Sequence, residues 1–277
     1  MYKELSHVNE EVLKEITLAE LSESVYNSNA IENSTLTLED TENIISGHEL
    51  KRIVAVREIY EATNLAKVTE SILKEPLISL TIEKILELHK ILLSNIDEQF
   101  SGRFREGREW VRVGNHLGAN PLFVNSLMQE LIENYKTSDD YFLNKIAHFH
   151  AEFETIHPFV DGNGRIGRIL INLQLLQNDL PPIIIQNKSK HSEYYPLFSK
   201  YQTTLKFDGF TSLFAELLQE SLHKRICILR GKRMIPLSVW AKNNNIKGSI
   251  AANKAKRQTI PAFRVRGKWM IAIDFSI

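Results

Sequence analysis

Midway along a 277-residue chain, the run HPFVDGNGRIGR spans His157 to Arg168. Apolar residues recur with a helical period on both sides, over residues 141–156 and again through RIGRILINLQLLQ. A helix must end, turn and restart within a few residues. Gly162 and Gly164 are the residue type whose backbone does this freely. The restarted helix, expected over residues 165–177, presents its unpaired N–H groups and its positive dipole end at those glycines.

Such an end binds an oxyanion, and the glycines let the backbone approach it closely. Arg165 and Arg168 are three residues apart, on one side of the first turn, and a guanidinium fork suits phosphate oxygens. Asp161 is an oxygen ligand just before the turn, and Mg²⁺ on a polyphosphate needs only one or two carboxylates. His157 closes the preceding helix and is a general base near neutral pH. Each residue alone also fits a plain structural turn. Together at this spacing they are the equipment for moving a phosphate-containing group from a nucleotide to a hydroxyl. The run is neither a Walker A loop nor GxGxxG, since it lacks GK[ST] and no strand precedes it.

His157-Pro-Phe159-x-Asp161-Gly162-Asn163-Gly164-Arg165-x-x-Arg168 resembles the full Fic-family signature, H-x-F-x-[DE]-G-N-G-R-x-x-R. The resemblance implies an all-α Fic fold with a small β-hairpin flap, and AMP transfer from ATP to a hydroxyl of a target protein. It implies that His157 deprotonates the target Ser, Thr or Tyr and that Phe159 packs in the core. Asp161 would hold Mg²⁺. Gly162, Asn163 and Gly164 would cradle phosphates, with Ile166 and Gly167 in the same nucleotide-binding turn, and Arg165 and Arg168 would hold the β- and γ-phosphates. GRFRE and the stretch from Val111 to Met128 resemble the family's flap and the helix after it. Val111, Arg112, Val113 and Gly114 would line the nucleotide and pair with an extended target segment. SEYYPLFSKYQ resembles the family's YY segment, which places Tyr194 and Tyr195 near the adenosine. Gln202 stands where many members have an asparagine against the base. The resemblance covers roughly residues 20–225.

Upstream, SNAIEN places Ser28 and Glu32 four apart, on one helical face. Alone this reads as a solvated serine and acid. Beside the motif it resembles the family's inhibitory helix, [ST]-x-x-x-E-[GN], with Ser28, Glu32 and Asn33 fitting and Ser34 departing from the usual asparagine. The resemblance implies that Glu32 pairs with Arg168 in the place of the γ-phosphate. In some relatives the same glutamate serves removal of AMP.

Helical patterns are read over residues 9–25, 54–73, 124–135 and 211–229, through IEKILELHKILL, and from a capping-box start at Thr37 and Asp40. Trp110, Val111 and Val113 predict a short strand and hairpin. His148 and His150 lie two apart and do not share a helical face, so His150 is read as a core or supporting residue rather than a metal ligand. Cys227 is the single cysteine, read as a buried thiol. A secretory leader is not evident in the first fifteen residues and no run approaches a membrane span, so a cytoplasmic protein without membrane contact is expected.

The net charge is zero but unevenly held: residues 231–277 carry ten Lys/Arg and one acid, leaving 24 bases and 33 acids in the first 230 residues. In that tail SVWAKNNN and IAANKAKRQ read as two helices around a turn. Residues 263–265 and 269–273 read as a hairpin about Arg266-Gly267-Lys268. The order resembles an excisionase-like winged helix-turn-helix, a small α+β module. Lys254, Lys256 and Arg257 would approach the major groove of duplex DNA, with Arg266 and Lys268 on its backbone. A basic protein-interaction module is the alternative.

Three domains are expected: an N-terminal helical region over residues 1–78, a transferase core over 79–230 and the basic module over 231–277. The whole reads as a protein adenylyltransferase held down by its own N-terminal helix, with a homodimer as a further expectation. Its rivals are a DNA-binding regulator whose fold senses nucleotide and an enzyme that removes AMP.

Overall fold

Thr37 shows how local chemistry sets the element boundaries. Its hydroxyl accepts from Asp40 N at 3.1 Å while Asp40 Oδ2 accepts from Thr37 N at 2.8 Å. This reciprocal box starts α2, Leu38–Ser46, and Gly47 ends it in the left-handed region at φ 70°. The computed structural model describes residues 10–77, 79–114 and 116–276. The first helical pattern starts at residue 9, outside that range; α1 runs Glu10–Ile31. Then come α3 (Val56–Lys74), α4 (Ile82–Leu93, capped by Thr81), β1 (Arg112–Val113) and β2 (His116–Leu117), α5 (Val124–Thr137), α6 (Phe142–Ile156) and α7 (Asn163–Leu176).

The chain divides into two compact units. The larger comprises residues 21–180 and 184–211. Its core gathers Val25 from α1, Leu65 and Val68 from α3, Leu88 and Leu92 from α4, Met128 from α5, Phe153 from α6 and Ile166 and Leu170 from α7. Helix α7 is buried on nearly every face from Asn163 to Leu175, as a central helix must be when its neighbours surround it. β1 and β2 form an antiparallel pair of two residues each, with Arg112 opposite Leu117. A π-helical turn, Lys190–Tyr194, leads into α8 (Tyr195–Thr204). The sequence pattern assigns no element there.

The smaller unit comprises residues 1–20, 181–183 and 212–277 and takes most of α9 (Asp208–Leu229). It contains β3 (Met234–Pro236), α10 (Leu237–Asn243), α11 (Gly248–Lys256), β4 (Phe263–Val265) and β5 (Lys268–Ala272). The three strands form an antiparallel sheet in the order β3-β5-β4. Arg266 and Gly267 both have positive φ, 52° and 73°, the backbone a two-residue type I′ hairpin turn requires. Trp240, 1% exposed, centres the packing with Ala251, Ala255 and Ile271. Cys227 is buried, as expected, and burial pushes its thiol up.

Candidate functional site

The site forms at the corner between α6 and α7. His157 is the C-cap of α6 at φ 52°, a conformation uncommon outside glycine. Arg105, 1% exposed, fixes this corner. Its guanidinium donates to Ile156 O at 2.9 Å, to His157 O at 2.7 Å and to Ala119 O. A buried cation thus answers carbonyls that a helix end leaves unpaired. The flap, closed by Gly118 N donating to Val111 O at 3.1 Å, is tied to the same corner: Ala119 N donates to Ile156 O at 3.1 Å, and His116 Nε2 bonds Thr155 O at 2.9 Å. Val111 is half-buried at the base of the flap, while Arg112, Val113 and Gly114 are exposed.

Phe159 is fully buried and stacks on His89 with ring centroids 3.6 Å apart. His89 Nδ1 accepts from Gly102 N at 3.1 Å, which puts the ring proton on Nε2 for Asp161 O at 3.0 Å. Burial pushes His89 down to about 4, so it stays neutral. The family resemblance puts Asn163 in the phosphate cradle. Its side chain closes the loop, Oδ1 accepting from Phe159 N at 2.8 Å and Nδ2 donating to Phe159 O at 2.9 Å. What Asn163 offers an anion is its main-chain N–H.

Gly162 is the N-cap of α7 at φ 84°, and no side chain caps that helix. A carboxylate lies close by: a Cβ on Gly164 would collide with Glu32 Oε1. That oxygen accepts from Arg168 Nη2 at 2.8 Å. The guanidinium also donates through Nε to Ser28 Oγ and through Nη2 to Ser28 O, both at 2.9 Å. Ser28, Glu32 and Arg168 therefore meet across 136 or more residues of sequence. The end of α1 is itself held. Buried Lys190 donates to Ala30 O at 2.9 Å, Ile31 O at 3.0 Å and Asn33 Oδ1 at 2.9 Å. Tyr195 Oη donates to Ile31 O at 2.7 Å.

Asp161 Oδ1 accepts from Gly162 N at 2.6 Å and from Arg165 Nη2 at 3.0 Å, and Oδ2 accepts from Arg57 Nη2 at 2.6 Å. Glu61, on α3 with Arg57, bonds Arg57 Nε at 3.0 Å and pairs with Arg165 Nη1 at 3.3 Å. Two acids and two arginines close a ring. Burial alone would raise Asp161, but Arg165, the Gly162 N–H and Arg57 outweigh it and hold the carboxyl below its ordinary range. Arg165, expected on phosphate, is engaged here by Asp161 and Glu61.

Tyr194 is buried, with Oη 2.7 Å from His150 Nε2, so His150 supports the YY segment. Gln202 is exposed on α8. Ile166 and Gly167 are buried, and Gly167 packs against Glu154 and His150. Burial pushes His157 down to about 4, with Arg105 and His116 acting in the same direction. The ring is therefore neutral at pH 7. Its Nδ1 lies 3.4 Å from Glu154 O, a long contact at the limit of a hydrogen bond. Sequence reasoning missed Arg57, Glu61, His89, Glu154 and Lys190 altogether and gave Arg105 no role. The only local trace of any of them is the i,i+4 pair Arg57–Glu61. In the smaller unit, Lys254 and Lys256 lie on α11, Arg257 caps it, Arg266 is in the β4–β5 turn and Lys268 opens β5.

The helical architecture with its small flap is a Fic fold, matching solved Fic-domain structures. Residues 79–175 match the Fic/DOC family. The Protein adenylyltransferase Fic of Drosophila melanogaster is 36% identical over 177 residues, 62% of this chain and 35% of that protein. That of Drosophila persimilis is 35% identical over 177 residues, 62% of this chain and 34% of that protein. The chain thus spans about a third of the length of these curated relatives. A Fic domain containing signaling protein from Bacteroides thetaiotaomicron superposes with a TM-score of 0.76 at 24% identity, covering 84% of this chain and 95% of that one. Fic-1 from C. elegans gives a TM-score of 0.70 at 25% identity, covering 83% of this chain and 70% of the compared one.

Proposed function

We propose that this chain is a protein adenylyltransferase that moves AMP from ATP to a Ser, Thr or Tyr hydroxyl of a target protein. The observation that carries this reading is the juxtaposition of a neutral His157 with the uncapped N-terminus of α7 and Arg168. Curated relatives named as adenylyltransferases support it. His157 takes the hydroxyl proton on Nε2. The N–H groups at Gly162–Gly164 and the two arginines hold and neutralise the phosphates. The exposed edge of the flap aligns the target segment by strand addition. The YY segment lies along the adenosine, with Gln202 at its far end.

Mg²⁺ fits one position. Among the described residues no group of three metal-ligating side chains is found. Asp161 is a single carboxylate, 40% exposed, which suits an ion that arrives on a polyphosphate and keeps most of its waters. When bound there the ion supplies charge neutralisation on the phosphates, and Asp161 orients it.

The same reading makes the end of α1 an inhibitor. Glu32 occupies the guanidinium that the γ-phosphate would need, and Ser28 and the Lys190–Asn33 contact hold it in place. The chain then has three functional parts: an inhibitory helical region, a transferase core and a basic module. The module, two short helices followed by a hairpin with ten Lys/Arg across residues 231–277, is read as a winged helix-turn-helix for duplex DNA. No helix among the described residues is long and apolar enough to cross a membrane.

Incubation with ATP labelled on the α-phosphate, with Mg²⁺, tests the transferase reading. Covalent label on the protein or on a lysate component is expected with Glu32→Gly. Binding of ATP with no covalent label would leave a nucleotide sensor.

A further inference from the structure

Glu154 is an acid to which the chemistry above gives no task. It lies on α6 one turn before His157, with its side chain 11% exposed. Its Oε1 has no hydrogen-bond partner and presses on α7, where a Cβ on Gly167 would collide with it. Its Oε2 is 3.7 Å from His157 Nδ1. Buried polar atoms normally find partners, because an orphaned one is costly. A buried carboxyl beside Nδ1 is the arrangement that orients the histidine of a Ser-His-Asp triad. The separation is just outside hydrogen-bonding range, and catalytic contacts of this kind are long before substrate arrives and tighten in the complex.

We propose that the ionised carboxyl of Glu154 is a positioning residue for AMP transfer, accepting the Nδ1–H of His157 and so fixing the tautomer whose Nε2 receives the target's proton. This rests on the transferase reading. In the step, the hydroxyl O–H breaks and its proton goes to Nε2. The oxygen bonds to the α-phosphorus. The bond from that phosphorus to the pyrophosphate oxygen breaks, and pyrophosphate leaves with the electron pair. The Nδ1 proton stays on the ring throughout, and the imidazolium charge faces the carboxylate. A protonated Glu154 works against this, since its O–H competes as a donor toward Nδ1.

Burial pushes Glu154 up from 4.5 to about 8. Arg168 from α7 draws it down and Glu32 from the end of α1 pushes it up. His150, on its own helix, is pushed down to about 3 by burial, and buried Tyr194 is pushed up, so both are neutral. Arg105 and His116 face His157 from the flap side. The sign follows. Glu154 is protonated at pH 7 and ionises as pH rises through about 8, so transfer climbs across that interval. Glu32→Gly removes an anion and frees Arg168, which moves the climb to lower pH.

The test uses the full chain carrying Glu32→Gly, with ¹⁵N-labelled histidine and no nucleotide. His157 ring shifts are followed through the interval around Glu154 ionisation, with and without Glu154→Gln, and initial transfer rates are measured on the same proteins. The expected result is an Nδ1–H population that grows with pH beyond what the weak contact to the Glu154 carbonyl holds at 3.4 Å, a growth that Glu154→Gln removes. A flattened pH–rate profile, a kcat about 10- to 10²-fold lower and unchanged ATP affinity should accompany it. Ring shifts and a pH limb that are the same with Glu154→Gln overturn the proposal. Transfer absent from every protein, with the shifts still dependent on Glu154, overturns the transferase reading and leaves the contact standing.

Discussion

The α6–α7 corner and the basic module handle polar residues in opposite ways. At the corner, Arg105, Asn163, Arg165 and Arg168 are each at most 7% exposed and each makes two or more polar contacts. In the module, Lys256, Arg257, Arg266 and Lys268 are exposed, and the packing rests on Trp240 and apolar residues around it. The first region fixes positions, and a buried polar group there is held by geometry and by the cost of leaving it unpaired. The second presents a field, in which the number of charges counts for more than the place of any one. Single substitutions should therefore be severe at the corner and mild in the module.

The sharpest test of that contrast is His157→Ala. Transfer should fall about 10²–10⁴-fold while ATP affinity, read by calorimetry, is kept. A rate near that of the parent would remove His157 as the base. Next is Glu32→Gly. An arginine released from Glu32 can hold phosphate, and misalignment of the reacting atoms costs about 10²-fold, so transfer should rise by that order. Arg168→Ala in that background should lower it again. Four initial rates complete the cycle, and small independent effects would reduce the Glu32–Arg168 contact to an incidental ion pair.

Arg105→Met should be smaller and structural. It strips the guanidinium from the Ala119 and His157 carbonyls, at about 1–3 kcal/mol per buried group left unsatisfied, while Ile156 O keeps the Ala119 N–H. A lower denaturation midpoint is expected, and an unchanged one would show that water replaces the guanidinium. The least effect belongs to the module. Lys256→Ala or Arg257→Ala should weaken duplex DNA binding only slightly and flatten its salt dependence by about 0.9 in log–log slope for each phosphate the variant no longer neutralises. A parent protein that shifts no duplex at low salt would turn the module into a protein-binding surface.

The same contrast explains what can be read from the chain alone. His157 to Arg168 is contiguous, and turn, cradle and arginines are consequences of local spacing. The Thr37 box and the helix over residues 82–93 are visible for the same reason. Arg57, Arg105 and Lys190 reach their partners across 52 to 160 residues, and nothing beside them in sequence announces those contacts. β3 escapes notice because its partner β5 lies more than thirty residues on. Spacing puts Asn163 in the turn but does not give the direction of its side chain, which bonds Phe159.

That side chain has a chemical consequence. Asn163-Gly164 is the dipeptide most prone to ageing in loose chains, where the glycine nitrogen attacks the asparagine side-chain carbonyl carbon and ammonia is lost. Here both ends of the amide are held by Phe159 and helical geometry keeps the Gly164 nitrogen from its target. The damage can proceed only while the loop is open. Slow conversion of Asn163 to aspartate or isoaspartate in stored protein is thus a clock for the opening of this turn, one that runs forward only and needs no substrate to be read.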